Sequence, residues 1–418
     1  MYKLKKLANN VQLITTPIVG TQTASLLVMV KVGSRQESGR LIGISHFIEH
    51  LMFKGTKRRP TTSDISKELD GVGAEFNAFT GKDYTGYYIK SDTKHLSLAI
   101  DILSDMLTAS KFDPKEIERE KGVIVEEINM YEDNPIMHVE DLLENIMYSP
   151  HQLSVDIIGT RETVKGMSRE DLVTFKERFY GGDNIVISLA GNFTDGHITE
   201  IENSFNFKTE HETVEIDRIF IDQESPRVSV SYKETEQTQL AMGFPAYSHT
   251  DERLPALSLL SLVLGGNMSS RLFISIRERS GLAYSIRSGL DVHEDIGALV
   301  IRAGLDKSRI DDAIKLILVE LNKIKEGVTE DELAKAKECL FGRTANDLED
   351  SSSVSSWYAT QHLMTGEVLT PAEKNAKISA VTLDDIVKVA NDVINLNKLS
   401  LAIIGPFKDD EKFKNLLK

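Results

Sequence analysis

The chain has 418 residues, 41% hydrophobic and 27% charged, with a formal net charge of −15 at pH 7. That length exceeds one ordinary core and favours two or more domains of a globular protein. The acidic balance argues against nucleic acid as a partner, because phosphate binding needs a basic surface, and suits a peptide substrate that is basic. Cys339 is the sole cysteine, so an internal disulfide and a thiolate-rich metal site are excluded and a cytoplasmic, reducing compartment is expected.

At the start of the chain, Lys3, Lys5 and Lys6 are followed by no apolar run, unlike a secretory signal. The early apolar stretch at 24–30 is too short to cross a bilayer and reads as a buried strand, so no membrane association is expected.

Residues 46–50 read HFIEH, an HxxEH pattern. On a helix, positions i and i+4 stack on one side, so the His46 and His50 rings can reach one ion, with Glu49 on the same side. Gly43 and Ser45 precede the motif, Phe47, Ile48, Leu51 and Met52 supply apolar faces, and Gly55 with Pro60 ends the run, which predicts a helix. Two imidazoles and a carboxylate so placed are the chemistry of a zinc-dependent hydrolase, with Glu49 taking the proton of the attacking water. A chance match in five residues is the competing reading, and a third ligand is needed to decide.

Further on, Asn77, Ala78, Phe79 and Thr80 end an alternating stretch, 81–83 can turn, and 84–90 can return, predicting a β-hairpin. Segment 114–131 then has a helix start, with Asp113 as N-cap, Pro114 at the first position and Glu116 in a capping-box position. Ile117, Ile124, Ile128 and Tyr131 form its apolar stripe. Glu120 and Glu127 lie between that stripe and Val123 and Met130, whereas Glu126 projects to the opposite, charged side. A carboxylate facing the core is costly unless paired or bound to metal. Either Glu127 is the third zinc ligand and Glu120 hydrogen-bonds a ligand from farther out, or the two are buried salt bridges to Arg or Lys.

The second half repeats the first. Residues 167–193 align without a gap onto 381–407, a shift of 214 positions that places Asp171 on Asp385, Leu172 on Ile386, Val173 on Val387 and Gly191 on Gly405. The fold class expected is α+β: two homologous sheet-plus-helices domains related by internal duplication, at 1–210 and 225–418, with a polar, unpatterned linker at 211–224. Segment 255–264, the counterpart of the HxxEH helix, has neither histidine nor glutamate. Catalysis therefore belongs to the first half, and the second is inactive.

With these residues in view, the chain resembles the pitrilysin, or insulinase, family of inverted-motif zinc peptidases. Within it the half-length bacterial branch, and the catalytic subunit of mitochondrial processing peptidase, are most similar. The likeness is carried by HFIEHLMFKGT at 46–56, NAFT at 77–80 followed by Tyr84, Thr85 and Tyr87, VIVEEINMYEDNP at 123–135, GGNMSSRLF at 265–273 and RERSGLAYS at 277–285. The family's third ligand is a glutamate 76 intervening residues after the second histidine, which here counts to Glu127, and its accessory glutamate falls on Glu120.

The resemblance implies one Zn²⁺ per chain held by His46, His50 and Glu127, with Glu49 as general base, and thus a zinc endopeptidase acting on unfolded peptides or precursor segments. It implies that a peptide substrate adds to the strand carrying Asn77, Ala78 and Phe79. It also implies that Arg277 and Tyr284 of the second half reach the substrate backbone, the tyrosine helping to stabilise the oxyanion. Without the resemblance, Tyr284 reads as a core aromatic and Arg277 as a solvated helix residue. Each chain is expected to form half of a clamshell chamber completed by a homodimer. The rival readings are an active subunit that needs a different partner chain, and a non-catalytic scaffold like the core subunits of respiratory complexes.

Overall fold

The computed structural model describes residues 2–417. Its strands are β1 (Lys3–Lys6), β2 (Gln12–Pro17), β3 (Thr23–Val30), β4 (Glu75–Thr80), β5 (Thr85–Asp92), β6 (Ile185–Gly191), β7 (Arg227–Tyr232), β8 (Gln237–Ala246), β9 (Ala283–Val292), β10 (Gly297–Asp306) and β11 (Ser400–Gly405). They form two sheets, ordered β1-β2-β6-β3-β5-β4 and β7-β11-β8-β10-β9. Leaving out β1, the two orders are the same when β2 to β6 are laid on β7 to β11. The pairing sense matches too: β2 with β6 and β7 with β11 are parallel, and the remaining neighbours are antiparallel.

The repeat read from sequence coincides with these elements. The Arg169–Phe179 helix and the Leu383–Val393 helix are each opened by a reciprocal capping box, Ser168 with Asp171 and Thr382 with Asp385. Each helix leads into the innermost parallel strand of its sheet, β6 or β11.

Each sheet is buried on both faces, which is why its central strands are apolar throughout rather than alternating. Along β3, Leu26, Val28 and Val30 enter one core while Leu27 and Met29 enter another. The first core lies against the HxxEH helix and its neighbours. The second is closed by Val354, Tyr358, Ala359 and Leu363 of the Ser351–Thr365 helix. In the other sheet, Leu240, Met242 and Phe244 face one core, while Ala241 faces Val139, Leu143 and Met147 of the Pro135–Tyr148 helix.

The compact units are consequently not contiguous in sequence. One comprises Met1–Asn129, Val155–Asp217 and Ala345–Leu369, and the other Met130–Ser154, Arg218–Thr344 and Thr370–Lys418. A division at 211–224 misses this exchange, because amphipathic patterning shows that a helix buries a face but not which sheet it buries it against. Residues 209–226 contain neither helix nor strand, yet the stretch is tied down. Arg35 donates to the Asp217 carbonyl at 2.7 Å in the first unit, and Ile219 N–H donates to Asp295 at 3.0 Å in the second. No helix among the described residues is long and apolar enough to cross a membrane.

Candidate functional site

The Ile44–Met52 helix carries HxxEH. Ile44, Phe47, Ile48, Leu51 and Met52 recur at i, i+3, i+4, i+7 and i+8 and are all buried, which leaves His46, Glu49 and His50 together on the more open side. The helix start is tightly specified. Gly43, its N-cap, has φ +91°, and a Cβ there would stand 2.7 Å from the Ile158 carbonyl oxygen. The buried Glu37 carboxylate accepts from Gly43 N–H at 2.6 Å and Ser45 N–H at 2.8 Å, satisfying two of the helix's orphan donors. Burial nevertheless pushes the Glu37 carboxyl up to about 7, against those two bonds and the charge of Lys82.

The Pro114–Asp133 helix brings the second set of groups. Asp113 accepts from Lys115 N–H at 2.9 Å, as an N-cap should, while Glu116 pairs with Arg119 at 2.7 Å. Ile117, Glu120, Ile124 and Ile128 are its buried residues. Val123 and Met130, expected to bound a buried arc, are 45% and 55% exposed. The buried stripe is therefore narrower than the apolar residues suggested, and Glu127 lies at its half-buried margin.

Glu127 Oε2 stands 3.4 Å from His50 Nε2 and 3.8 Å from His46 Nε2. His46, His50 and Glu127 can each present one donor atom within 4.8 Å of the others. Glu120 meets His50 from the other side, its Oε2 accepting from Nδ1 at 3.1 Å, and its Oε1 is 2.8 Å from Lys54 Nζ. Both readings of Glu120 thus describe it: it bonds a histidine of the cluster, and it is a buried salt bridge. Burial alone would raise its pKa, but the bonds from His50 and Lys54 outweigh that and hold it below the usual carboxylate range. Glu127 is lowered as well, chiefly by His50.

The two imidazoles differ. His46 is held down to about 4 by burial and by the neighbouring His50 charge, whereas His50 is raised to about 9 because bonds to Glu120 and Glu127 outweigh its burial. Glu49 lies on the same face and accepts from Thr80 Oγ1 at 2.5 Å. Burial raises its pKa, and Thr80 acts against that rise.

Asn77, Ala78, Phe79 and Thr80 are on β4, hairpinned to β5 in the register Thr80 opposite Thr85. β4 is an edge of its sheet, Asn77 is exposed, and Phe79 is 37% exposed. Asn77 Oδ1 accepts locally from Ala78 N–H at 2.9 Å. Arg277 and Tyr284 belong to the other compact unit. Arg277 sits exposed on a π-helical turn, Phe273–Arg279, with its guanidinium 4.8 Å from the Phe273 ring centroid. Tyr284, on the edge strand β9, is 63% exposed rather than the core aromatic its composition suggested.

Comparison with known proteins places this geometry in a family. The profile of "Insulinase (Peptidase family M16)" matches residues 14–161, and that of the "Peptidase M16 inactive domain" matches 166–340. The chain belongs to peptidase family M16. Two relatives named "uncharacterized zinc protease", from Streptomyces coelicolor and Bacillus subtilis, are each 35% identical; both alignments cover 97% of this chain, with 90% and 98% of the relatives covered in turn. Among solved structures, a protease from Helicobacter pylori superposes with a TM-score of 0.89 at 23% identity, covering 97% of this chain and 99% of that one. A chain of Complex III2 from Candida albicans superposes with a TM-score of 0.83 at 18% identity, covering 99% of each. These last two likenesses establish the fold alone.

The names of both relatives give zinc as their metal. The side chains fit it. Two imidazole nitrogens and a carboxylate oxygen are a catalytic zinc donor set, and bonds of about 2.0–2.1 Å in a tetrahedron set donors about 3.3 Å apart. The separations of 3.4 and 3.8 Å are close to that edge.

Glu37, Lys54 and Thr80 were not singled out from sequence for these contacts. Lys54 carried a usable signal, lying four positions after His50. Glu37 and Thr80 carried none, since each reaches the helix from a separate segment.

Proposed function

We propose that this M16 chain is a zinc endopeptidase that hydrolyses peptide bonds of unfolded peptides or precursor segments, with His46, His50 and Glu127 as metal ligands. The observation that carries the reading is the convergence of those three side chains beside Glu49. Zinc bound there supplies Lewis acidity, which makes water a nucleophile near neutral pH and polarises the scissile carbonyl. Glu49 is the general base: Thr80 holds its Oε2 and fixes the carboxylate's rotation, and burial raises its pKa, which makes it a stronger base. Glu120 holds the proton on His50 Nδ1, which leaves Nε2 as the ring atom directed at the metal position.

A peptide would extend the sheet at the free edge of β4, gaining main-chain hydrogen bonds whatever its sequence. Arg277 and Tyr284 are assigned to the substrate backbone, and a homodimer to the working state, on the family resemblance.

Replacing Glu49 by Gln tests the reading. The variant should keep its zinc and lose two to four orders of magnitude in turnover of an oligopeptide, the usual contribution of a general base. Wild-type-like turnover by E49Q would refute the assignment.

A further inference from the structure

We propose that Lys54 is a positioning residue of the metal site, acting through Glu120 to fix the orientation of His50. This rests on the reading of His50 as a zinc ligand and extends it one group outward.

Glu120 is 1% exposed, and each of its oxygens has a donor: Lys54 Nζ on Oε1 at 2.8 Å and His50 Nδ1 on Oε2 at 3.1 Å. A carboxylate can only accept, so Nδ1 carries the ring proton and Nε2 is left as the metal-facing atom. Lys54 decides which oxygen remains for the histidine. With Oε1 occupied, the carboxylate plane cannot turn without breaking a charge-assisted bond, and Oε2 stays aimed at Nδ1.

Lys54 is itself held in place. Its N–H donates to the Leu51 carbonyl at 3.1 Å, and the next residue, Gly55, has φ +108° with a Cβ position 2.4 Å from the Pro60 oxygen. Only a glycine completes that turn. The backbone thereby sets where the ammonium emerges, and about a quarter of the Lys54 side chain stays exposed.

The other imidazole has no equivalent support. His46 Nδ1 is buried with no hydrogen-bond partner among the described residues, so no hydrogen bond at that nitrogen orients the ring. The relay from Lys54 through Glu120 is thus the polar control over ligand geometry at this site.

Zinc affinity of the full-length protein, measured by competition with a chromophoric chelator, tests the proposal. Wild type should bind one zinc tightly. K54M and K54Q should bind it about 10- to 100-fold more weakly, the usual effect of removing a group that orients a ligand, and K54R should recover to within about threefold. E120Q should be weakened, and K54M/E120Q no further than E120Q alone, because a residue acting through Glu120 has nothing to add once Glu120 is altered. Thermal melting of each variant separates loss of fold from loss of affinity. If wild type binds no zinc, the ligand assignment itself fails, and this inference with it. If wild type binds but K54M and K54Q match it, or the two losses add in the double variant, the relay is wrong while the ligand assignment stands.

Discussion

At the scale of single residues, the site is a set of groups whose ordinary behaviour is altered by burial and by their immediate neighbours. Thr80 is the plainest case: a hydroxyl on the edge strand β4 donates to Glu49 Oε2 and opposes the rise that burial imposes on its pKa. T80V removes the donor at nearly constant volume. The pKa of Glu49 should then climb further, so the acid limb of kcat/KM, which reports ionisation of the free enzyme's base, should move to higher pH. Turnover at neutral pH should fall about tenfold, the worth of one hydrogen bond to a charged group. A pH–rate profile superimposable on wild type would show that Thr80 does not tune the base. What was legible at this scale followed helical spacing. His46, Glu49 and His50 share a face because of the i, i+3, i+4 rule, and Glu120 and Glu127 because seven residues make two turns. Contacts that cross between segments, Thr80 to Glu49 and Glu37 to Gly43, leave no periodic trace and were not read.

At the scale of elements, the HxxEH helix depends on its first turn. Glu37 is a buried carboxyl placed on two N–H groups at a helix N-terminus, yet burial raises it to about 7 from its ordinary 4.5. A carboxyl raised on folding holds its proton more tightly in the native state. Its contribution to stability is therefore complete below about pH 4.5, declines as pH rises toward 7, and is gone above the folded value. A shift of that size corresponds to about 3 kcal/mol across the window. E37Q cannot titrate, so its unfolding midpoint should depend less steeply on pH between about 5 and 7 than that of wild type. Parallel pH dependences in a denaturation series would contradict the assignment. The helix itself was legible from its apolar spacing. Its N-terminal lock was not, because Glu37 sits in a polar stretch with no pattern, and burial of a charged residue cannot be inferred from composition.

At the scale of the whole molecule, duplication was legible because the capped helix and the glycine-terminated strand after it recur without a gap, and the matching strand orders bear out that repeat. The burial of β3 was legible in its apolar run at 24–30. The exchange of the Pro135–Tyr148 and Ser351–Thr365 helices was not, since its cause is complementarity between particular surfaces. The asymmetry between halves has the clearest functional content: the repeat kept the scaffold, while HxxEH occurs in one copy. Everything proposed for the reaction then depends on which glutamate of the Pro114–Asp133 helix completes the ligand set. Glu127 faces both histidines, whereas its neighbour Glu126 is exposed and lies 3.4 Å from the Asn129 amide. The decisive measurement is the zinc content of E127Q and E126Q by atomic absorption after dialysis against a mild chelator. E126Q should retain close to one zinc per chain and E127Q should lose most of it; equal retention by the two would contradict the site described.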